Sequence, residues 1–424
     1  MLSITRRSSC YWLQIVFIIH ILGAIWYVVY RPTLVLPWQH RHQRGHIGDD
    51  GDGLFAALDD SRSWTTGPPH NPNQLTVQLP PASNRTPRVN AGFVVLVRNT
   101  ELGEMLESMY EERFNRKFDY PWLFLNEEPF TEEFKRRTTA ATNAKTHFGF
   151  VDESMWSYPT WINQTLAAEQ REKMRGLPYG ASESYRHMCR FQSGFFWRHP
   201  LFLELGWEYY WRVEPHVRYY CELDYDPFLY MKQNNKKYGF TISFVENGGT
   251  IPTLWEAIRR FVTATEIYGQ NQFALKTKDT LYRFITDENG EQYNQCHFWT
   301  NFEIARTDLW QSDTYQKLFE FLDRSGGFFY ERWGDAPVHS IFAALFLHKD
   351  EFHYFHDIGY KHSVYEHCPE SDTLADKCFC NPANTLDYKD PMSCLTRYMD
   401  ALAENSVDKD TTVGQLLRLP GVAA

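Results

Sequence analysis

The sequence lacks the short motifs that mark several common enzyme classes. It contains no G-x-G-x-x-G at its first predicted strand–helix turn, no G-x-x-x-x-G-K-[ST] and no G-x-S-x-G. These absences argue against a dinucleotide-binding fingerprint, a phosphate-binding P-loop and the nucleophile of an α/β-hydrolase. Basic residues are not in excess either, since the formal net charge is −10. With no basic patch interleaved with aromatic residues, we expect no nucleic-acid partner.

Charged side chains are missing altogether from residues 11–30, YWLQIVFIIHILGAIWYVVY. A run of this length matches the roughly 20 residues that a helix needs to cross the hydrocarbon core of a membrane. It is longer than the apolar segment of a cleaved signal peptide and has no small-residue cleavage site. We therefore predict a cytoplasmic tail at 1–10 and a transmembrane signal-anchor at 11–30, with a buried soluble helix as the alternative. Arginines flank the run on both sides, so the positive-inside rule leaves its orientation open.

Two features place the rest of the chain in an oxidising lumen. The N-x-[ST] sequons at Asn84 and Asn163 both follow the predicted span, as do seven of the eight cysteines. Glycosylation of Asn84 and Asn163 and the formation of disulfides both belong to secretory compartments. Cys378 and Cys380 have no companion pair at zinc-finger spacing, so we expect disulfides there rather than a metal. The sequence does not determine how the cysteines pair.

The remaining domain boundaries follow from composition. Residues 31–89 are rich in Pro, Gly, Asp, Asn and Ser without sustained periodicity, which is typical of a linker. We predict that they form a luminal stem, followed by the main folded domain at 90–395 and a C-terminal tail at 396–424. Aromatic residues make up 17% of the chain, so a large packed core is available to that domain.

Within this domain, short apolar runs alternate with segments of helical composition. Residues 93–97 (FVVLV) are typical of a buried strand, and residues 101–114 follow with the acidic first turn that suits a helix. Strands that alternate with helices predict an α/β fold with a mixed, mostly parallel sheet. The other predicted strands are 122–125, 147–151, 209–213 and 238–245, and the other predicted helices are 131–141, 182–196, 227–235 and 253–263.

Acidic residues at strand ends are the main chemical signal. Ligands of open α/β sheets bind just beyond the carboxyl ends of the strands, and Glu214 directly follows the predicted strand YYWRV. A carboxylate there is suited to a divalent cation that bridges a nucleotide diphosphate, whereas a solvated glutamate paired with Arg212 is the alternative. Asp224-Tyr225-Asp226 spells D-x-D, the usual metal motif of sugar-nucleotide transferases, although Asp226 also fits a helix N-cap. We prefer Glu214 as the metal ligand and keep Asp224 in reserve.

Two later segments combine aromatic and charged residues. Glu303 lies among aromatic residues in CHFWTNFEIA, where partial burial would raise its pKa and favour a catalytic role. The segment GGFFYERWGDAPVHS contains Tyr330, Arg332 and Asp335 beside paired glycines. Runs of this kind usually line sites, and the alternative is a structural ion pair between Glu331 and Arg332.

Five long segments occur in order along the chain: SYRHMCRFQSGFF, YYWRVEPHVRYYCELDYDPF, NNKKYGF, CHFWTNFEIA and GGFFYERWGDAPVHS. Together they resemble the fungal Golgi α-1,2-mannosyltransferases of glycosyltransferase family 15, over residues 90 to about 369. The resemblance implies a GT-A type nucleotide-sugar-binding fold, GDP-mannose as the donor, Mn²⁺ as the cofactor and retention of configuration. It also implies α-1,2-linked mannose on O- and N-linked glycans of secreted and cell-wall glycoproteins.

The resemblance also assigns roles to individual residues. Glu214 matches the metal-binding acid of the family's E-P-D motif, and His362 matches a second metal ligand. Glu303 matches a carboxylate proposed as the nucleophile, and Asp335 lies in the W-G-D-A-P motif near the donor. Six residues of the matching segments are expected to bind donor or acceptor: Tyr185, Arg186, Arg190, Asp224, Tyr330 and Arg332. Retention then proceeds through a covalent adduct on Glu303 or by front-side attack without one.

Two positions depart from the family pattern. The family's E-P-D is Glu214-Pro215-His216 here, and its C-D is Cys221-Glu222. His216 is able to bind a metal or phosphate but lacks the charge of aspartate. The first hypothesis is a type II Golgi membrane enzyme, anchored by residues 11–30, that acts on mannosylated glycoproteins. The second is a catalytically weak glycan-binding or scaffold subunit in a complex with other Golgi mannosyltransferases, and the third is a transferase for another sugar nucleotide.

Overall fold

The first strand, β1 (Ala91–Leu96), is apolar on both of its faces. In this computed structural model, Phe93 and Val95 pack into one hydrophobic cluster and Val94 into another. A strand of this kind has to be covered on both sides, as in parallel sheets flanked by helices. The structure describes residues 88–111, 113–267, 274–403 and 411–417, which fall within one compact unit.

A mixed sheet forms the centre of the molecule. The other strands are β2 (Trp122–Asn126), β3 (Thr146–Phe150), β4 (Tyr209–Arg212), β5 (Arg218–Tyr219), β6 (Tyr238–Phe240), β7 (Ser243–Val245), β8 (Cys296–Phe298), β9 (Glu303–Arg306), β10 (Phe352–Tyr354), β11 (Tyr360–His362) and β12 (Tyr365–His367). Seven of them form the sheet β10-β6-β9-β4-β1-β2-β3. Only β9 is antiparallel to its neighbours β4 and β6 within this sheet. The predicted α/β fold with a mixed, mostly parallel sheet is therefore confirmed.

Helices cover both faces of the sheet. The longer ones are α1 (Leu102–Glu111), α2 (Glu132–Ala140), α4 (Gln164–Lys173), α5 (Glu183–Gly194), α6 (Pro200–Leu205), α7 (Pro227–Gln233), α8 (Leu254–Ile267), α11 (Asp313–Ser325), α13 (Asp335–Phe346), α15 (Leu395–Ala403) and α16 (Val413–Leu417). The short ones are α3 (Glu153–Trp156), α9 (Tyr282–Ile285), α10 (Asp308–Gln311), α12 (Gly327–Tyr330) and α14 (Asp372–Ala375). The predicted helices occur within a few residues of their predicted bounds.

One predicted strand is in fact two. The predicted strand 238–245 separates into β6, which belongs to the central sheet, and β7, which pairs with β8 in a sheet of two strands. The segment YGFTISFV has no Pro, Asn or Asp at the break between β6 and β7, so the sequence pattern carries no mark of the point where the strand changes its partner. This change of partner places the residues after β7 beside the candidate site described below.

Three disulfides cross-link the part of the chain that the structure describes. Cys221 pairs with Cys378, Cys296 with Cys394 and Cys368 with Cys380, while Cys189 is buried and free. The prediction that Cys378 and Cys380 form disulfides is therefore confirmed.

The disulfide Cys296–Cys394 is expected to contribute more to stability than Cys368–Cys380, because it spans 98 residues whereas Cys368–Cys380 spans only 12. Replacing both Cys296 and Cys394 with serine should lower the free energy of unfolding by about 2–5 kcal/mol, since a longer closed loop restricts the unfolded chain more. The double serine variant of Cys368 and Cys380 is the matched control, and we expect a smaller loss there. Urea denaturation of both variants measures this, and equal losses would contradict it.

Several predictions fall outside the described residues: the tail 1–10, the span 11–30 and the stem 31–89 up to residue 87, with Asn84. Within the described ranges, no helix is both long and apolar enough to cross a membrane. Part of the predicted tail 396–424 is described, and it packs into the domain. Tyr398 and Ala401 of α15 are buried, as is Leu417 of α16.

Candidate active site

A cleft of about 750 Å³ opens where the carboxyl ends of β1 and β4 meet. Leu96 and Val97 at the end of β1 line it, as do Arg212 and Glu214 at the end of β4. Residues of the α5 segment, among them Tyr185, contribute another part of the lining. This is the position at which open α/β sheets bind ligands.

Half of the ten residues predicted to act in catalysis, metal binding or substrate binding line the cleft. Those that line it are Tyr185, Glu214, Arg332, Asp335 and His362. Those that do not are Arg186, Arg190, Asp224, Glu303 and Tyr330.

Glu214 and His362 form the candidate metal pair. The Oε2 atom of Glu214 lies 3.6 Å from Nε2 of His362, and each side chain is about one fifth exposed to the cleft. No cluster of three or more His, Cys, Asp or Glu side chains suited to a metal occurs in the described ranges. Two protein ligands nevertheless fit Mn²⁺ or Mg²⁺, because these ions take their remaining ligands from phosphate oxygens and water. Burial lowers the pKa of His362, which favours the neutral imidazole that metals bind.

A buried network holds Glu214 in place. Arg212 donates one hydrogen bond to Oε1 of Glu214 and another to Oδ2 of Asp335, each 2.5 Å long. Thr300 donates a third, of 2.7 Å, to the same Asp335 oxygen. Burial, the largest single effect, would raise the pKa of Asp335, but Arg212, His339 and the hydrogen bond from Thr300 together lower it. Asp335 is therefore a buried carboxylate that orients Arg212, and Arg212 in turn leaves the Oε2 atom of Glu214 facing His362.

Glu303 lies behind this network and is fully buried. It begins β9, directly opposite Arg212 of β4 in the antiparallel register. Its carboxylate accepts hydrogen bonds from the hydroxyls of Tyr210 and Tyr238, and one oxygen lies 3.0 Å from Nδ1 of His339. The burial predicted from its aromatic surroundings is thus complete, and in this structure the carboxylate is closed off from the cleft.

Three other predicted binding residues hold the fold together. Arg186 donates to the backbone carbonyls of Ser182 and Glu331, and Arg190 forms a buried ion pair with Asp323. The Tyr330 hydroxyl accepts a hydrogen bond from the backbone N–H of Asn163. In this structure, these side chains support the segments that line the cleft without lining it themselves.

Asn163 is exposed at the beginning of α4, where its side-chain oxygen accepts a hydrogen bond from the backbone N–H of Leu166. Its glycosylation remains a prediction.

The D-x-D tripeptide lies away from the cleft. Asp224 is exposed and pairs with Lys117 and Lys377. Asp226 instead caps α7, accepting from the backbone N–H groups of Phe228 and Leu229. The N-cap interpretation of Asp226 is therefore confirmed. The assignments of Asp224, in reserve to the metal and otherwise to the substrate, are corrected, because its side chain is exposed outside the cleft and its charge is already paired.

His216 also lies outside the lining of the cleft. Its backbone is left-handed, with φ at 63°, and its side chain is 64% exposed. It lies 3.7 Å from a carboxylate oxygen of Glu104 and of Glu107, both on α1. The histidine that replaces the family's aspartate therefore does not line the cleft in this structure. Cys221 of the second departure is part of a disulfide.

Sequence reasoning missed two polar residues of the cleft. Glu246 lines it and pairs with Arg332 at 3.1 Å. It directly follows the predicted strand 238–245, so the rule that selected Glu214 could have found it. Asn301 also lines the cleft, with its amide 3.2 Å from Nδ1 of His362. No pattern in the sequence marks Asn301, because His362 is 61 residues away.

The comparisons with known proteins all identify mannosyltransferases. The family described as "Glycolipid 2-alpha-mannosyltransferase" matches residues 60–403. Glycolipid 2-alpha-mannosyltransferase 2 of Candida albicans is 51% identical over 322 residues, covering 74% of this chain and 68% of that protein. The glycolipid 2-alpha-mannosyltransferase of Saccharomyces cerevisiae is 49% identical over 327 residues, covering 76% and 72%.

Two solved structures share the fold. Core-mannan synthase A of Aspergillus fumigatus, solved in its Mn/GDP form, is 39% identical with a TM-score of 0.66, over 76% of this chain and 88% of that one. The mannosyltransferase Ktr4p of S. cerevisiae, solved in complex with GDP, is 33% identical with a TM-score of 0.68, over 78% and 84%.

Proposed function

Because the chain belongs to the glycolipid 2-alpha-mannosyltransferase family, we propose that it transfers mannose from GDP-mannose to a mannose hydroxyl of a glycan. The linkage formed is α-1,2, and the anomeric configuration is retained. The observation that carries this proposal is the meeting of Glu214 and His362 at one point of the cleft, backed by Arg212 and Asp335. The relatives solved with GDP, one of them with manganese, support a GT-A type site for a nucleotide sugar and a metal.

The donor is proposed to lie with its diphosphate beside Glu214 and His362. Its nucleoside then extends toward the carboxyl ends of β1 and β2, where Arg98, Glu101 and Glu127 line the cleft. Carboxylates in that position suit the N–H groups of a guanine edge. Mn²⁺, when bound, would offset the charge that develops on the diphosphate as GDP leaves.

The protein's own side chains position the metal and provide the charges of the site. Glu214 and His362 would hold the metal, and Asp335 keeps Arg212 against Glu214. The closure of Glu303 from the cleft favours front-side attack by the acceptor hydroxyl over a covalent adduct. Glu303 then acts by positioning: it binds Tyr210, Tyr238 and His339 directly behind the Arg212 network.

The cellular setting is proposed from sequence features. Residues 11–30 would anchor the chain in the Golgi membrane as a single-pass type II protein with its catalytic domain in the lumen. The acceptors would be O- or N-linked glycans of secreted and cell-wall glycoproteins.

The test is transfer of radiolabelled mannose from GDP-mannose to methyl-α-mannoside by the purified full chain, with and without Mn²⁺. We expect transfer that depends on Mn²⁺ and yields an α-1,2-linked disaccharide. A folded, GDP-binding protein that transfers nothing to several mannose acceptors would instead support the scaffold hypothesis.

Asn301 provides a separate prediction about the metal pair. Its amide contacts His362 and accepts a hydrogen bond from the Tyr360 hydroxyl at 3.0 Å, so it orients the imidazole. Replacing Asn301 with alanine should weaken Mn²⁺ binding by about 10- to 100-fold, the usual cost of losing a residue that orients a metal ligand.

Electron paramagnetic resonance of free Mn²⁺, titrated in the presence of GDP, measures this affinity. Tyr360→Phe removes only the hydroxyl and should shift the affinity in the same direction by less. An unchanged Mn²⁺ affinity in Asn301→Ala would show that Asn301 does not orient His362.

A further inference from the structure

Tyr179 is a large aromatic residue at the cleft whose exposure and backbone geometry are both unusual. Its side chain is 63% exposed, although it lines the same cleft as Tyr185. Its backbone is left-handed, with φ at 54°. A bulky residue in that region is uncommon and costs free energy, and strain of this kind concentrates at functional sites.

The segment before α5 forces Tyr179 into this conformation. Leu177 and Gly180 close successive turns, with N–H···O distances of 2.8 Å to Met174 and 2.9 Å to Leu177. Only glycine fits at position 180, because an added Cβ atom would lie 1.8 Å from the carbonyl oxygen of Met174. The backbone N–H of Ser182 then donates to the carbonyl of Tyr179. The ring of Tyr179 is therefore held at the cleft by a tightly hydrogen-bonded loop.

The ring belongs to a stack that leads into the proposed active site. The rings of Tyr179 and Tyr185 are parallel within 3°, with their centroids 4.3 Å apart. The guanidinium carbon of Arg332 lies 5.3 Å from the centre of the Tyr185 ring. Arg332 is bonded in turn to Glu246 and to the Thr250 hydroxyl. Tyr179 is the exposed outer end of this stack, and Arg332 is its buried inner end.

We infer that Tyr179 is a platform for a second sugar of the acceptor glycan, the one that precedes the mannose receiving the transfer. The inference rests on the proposed function, since it assigns a subsite of the same cleft. An exposed aromatic face suits the apolar C–H face of a mannose ring, while the edge of the phenol remains free for hydroxyl groups. The platform would make the protein prefer oligosaccharide acceptors over single sugars.

The nucleoside is a less suitable occupant for this ring. Tyr179 is linked through Tyr185 to Arg332, whereas the residues after β1 and β2 form a separate group in which Arg98 pairs with Glu127. Stacking of the guanine on Tyr179 would change the KM for GDP-mannose, which separates the two occupants by experiment.

The test compares methyl-α-mannoside with α-1,2-mannobioside as acceptors of the full chain. In the wild type, kcat/KM should be higher for the mannobioside. Tyr179→Ala should reduce that preference about 3- to 10-fold, the range expected for the loss of one aromatic contact. Tyr179→Phe keeps the ring and should keep most of the preference. Tyr388→Ala removes an exposed tyrosine outside the cleft and serves as the matched control.

A merely structural role for Tyr179 predicts equal losses with both acceptors, and equal losses would overturn the inference. A rise in the KM for GDP-mannose with an unchanged acceptor preference would overturn it as well.

Calorimetric binding of mannobioside to the protein with GDP and Mn²⁺ needs no turnover. If no acceptor is mannosylated but Tyr179→Ala weakens this binding, the proposed function is wrong and the sugar-binding role of Tyr179 is supported. If transfer is normal and Tyr179→Ala changes neither mannobioside binding nor acceptor preference, the sugar-binding role of Tyr179 is wrong and the proposed function is supported.

Discussion

Replacing Glu214 with glutamine should reduce Mn²⁺-dependent mannose transfer at least ~100-fold, which corresponds to about 3 kcal/mol of transition-state stabilisation. The substitution keeps the size of the side chain but removes the negative charge that faces His362 across 3.6 Å. It also leaves the buried Arg212 with one carboxylate partner instead of two. We therefore expect both weaker Mn²⁺ binding and slower loss of GDP from the donor.

The matched comparison is Asp224→Asn, which removes the charge of the other acidic candidate from the same stretch of sequence. Asp224 is exposed and paired with Lys117 and Lys377, so this variant should keep nearly wild-type rates. Initial rates of GDP release over a range of Mn²⁺ concentrations measure both variants. A Glu214→Gln enzyme with more than a tenth of wild-type turnover at saturating Mn²⁺ would refute the assignment.

Replacing Glu303 with alanine should destabilise the folded protein by about 3–5 kcal/mol. Glu303 is fully buried, and the substitution leaves the hydroxyls of Tyr210 and Tyr238 and one nitrogen of His339 without their acceptor. Buried polar groups without partners cost about 1–3 kcal/mol each, and a cavity adds to that cost. Chemical denaturation followed by tryptophan fluorescence measures the change.

The milder variant Glu303→Gln separates the positioning role from the nucleophile role. If Glu303 carries a covalent mannosyl group, turnover should vanish even where the variant is fully folded and binds GDP. If Glu303 only positions the site, turnover should fall only in proportion to any loss of folded protein and to any displacement of Arg212. Turnover above about a tenth of wild type in folded Glu303→Gln would exclude the covalent route, because loss of a nucleophile costs far more.

Local residue patterns predicted the elements and the main ligand-binding edge. The run at 93–97 and the helix composition that follows it are local features, and they predicted the parallel arrangement around β1. The position of Glu214 directly after a predicted strand was enough to place it at the cleft, because carboxyl ends of neighbouring parallel strands meet at one edge of a sheet. His362 was identified from the family resemblance, since nothing local marks it.

Tertiary structure decided the roles that depend on partners far apart in sequence. Glu303 is the first residue of the antiparallel strand β9, whose amino end lies beside the carboxyl end of β4, and its carboxylate is therefore buried behind the cleft. A rule about the carboxyl ends of parallel strands cannot anticipate such a residue. Likewise, Asp224 and Glu214 are ten residues apart in one acidic stretch, but only the turn after β4 determines which of them faces the cleft.

The sequence by itself therefore determined the fold class, the alternation of elements, the use of cysteine in disulfides and the family, because each is written in local patterns or long ordered motifs. The tertiary structure alone decided which cysteines pair, that Asp224 lies outside the cleft, and that Glu303 is closed off from the cleft. The physical reason is that burial and contact between distant residues follow from how the strands are ordered and directed in the sheet. Strand order and direction are properties of the whole chain, and no local stretch of residues carries them.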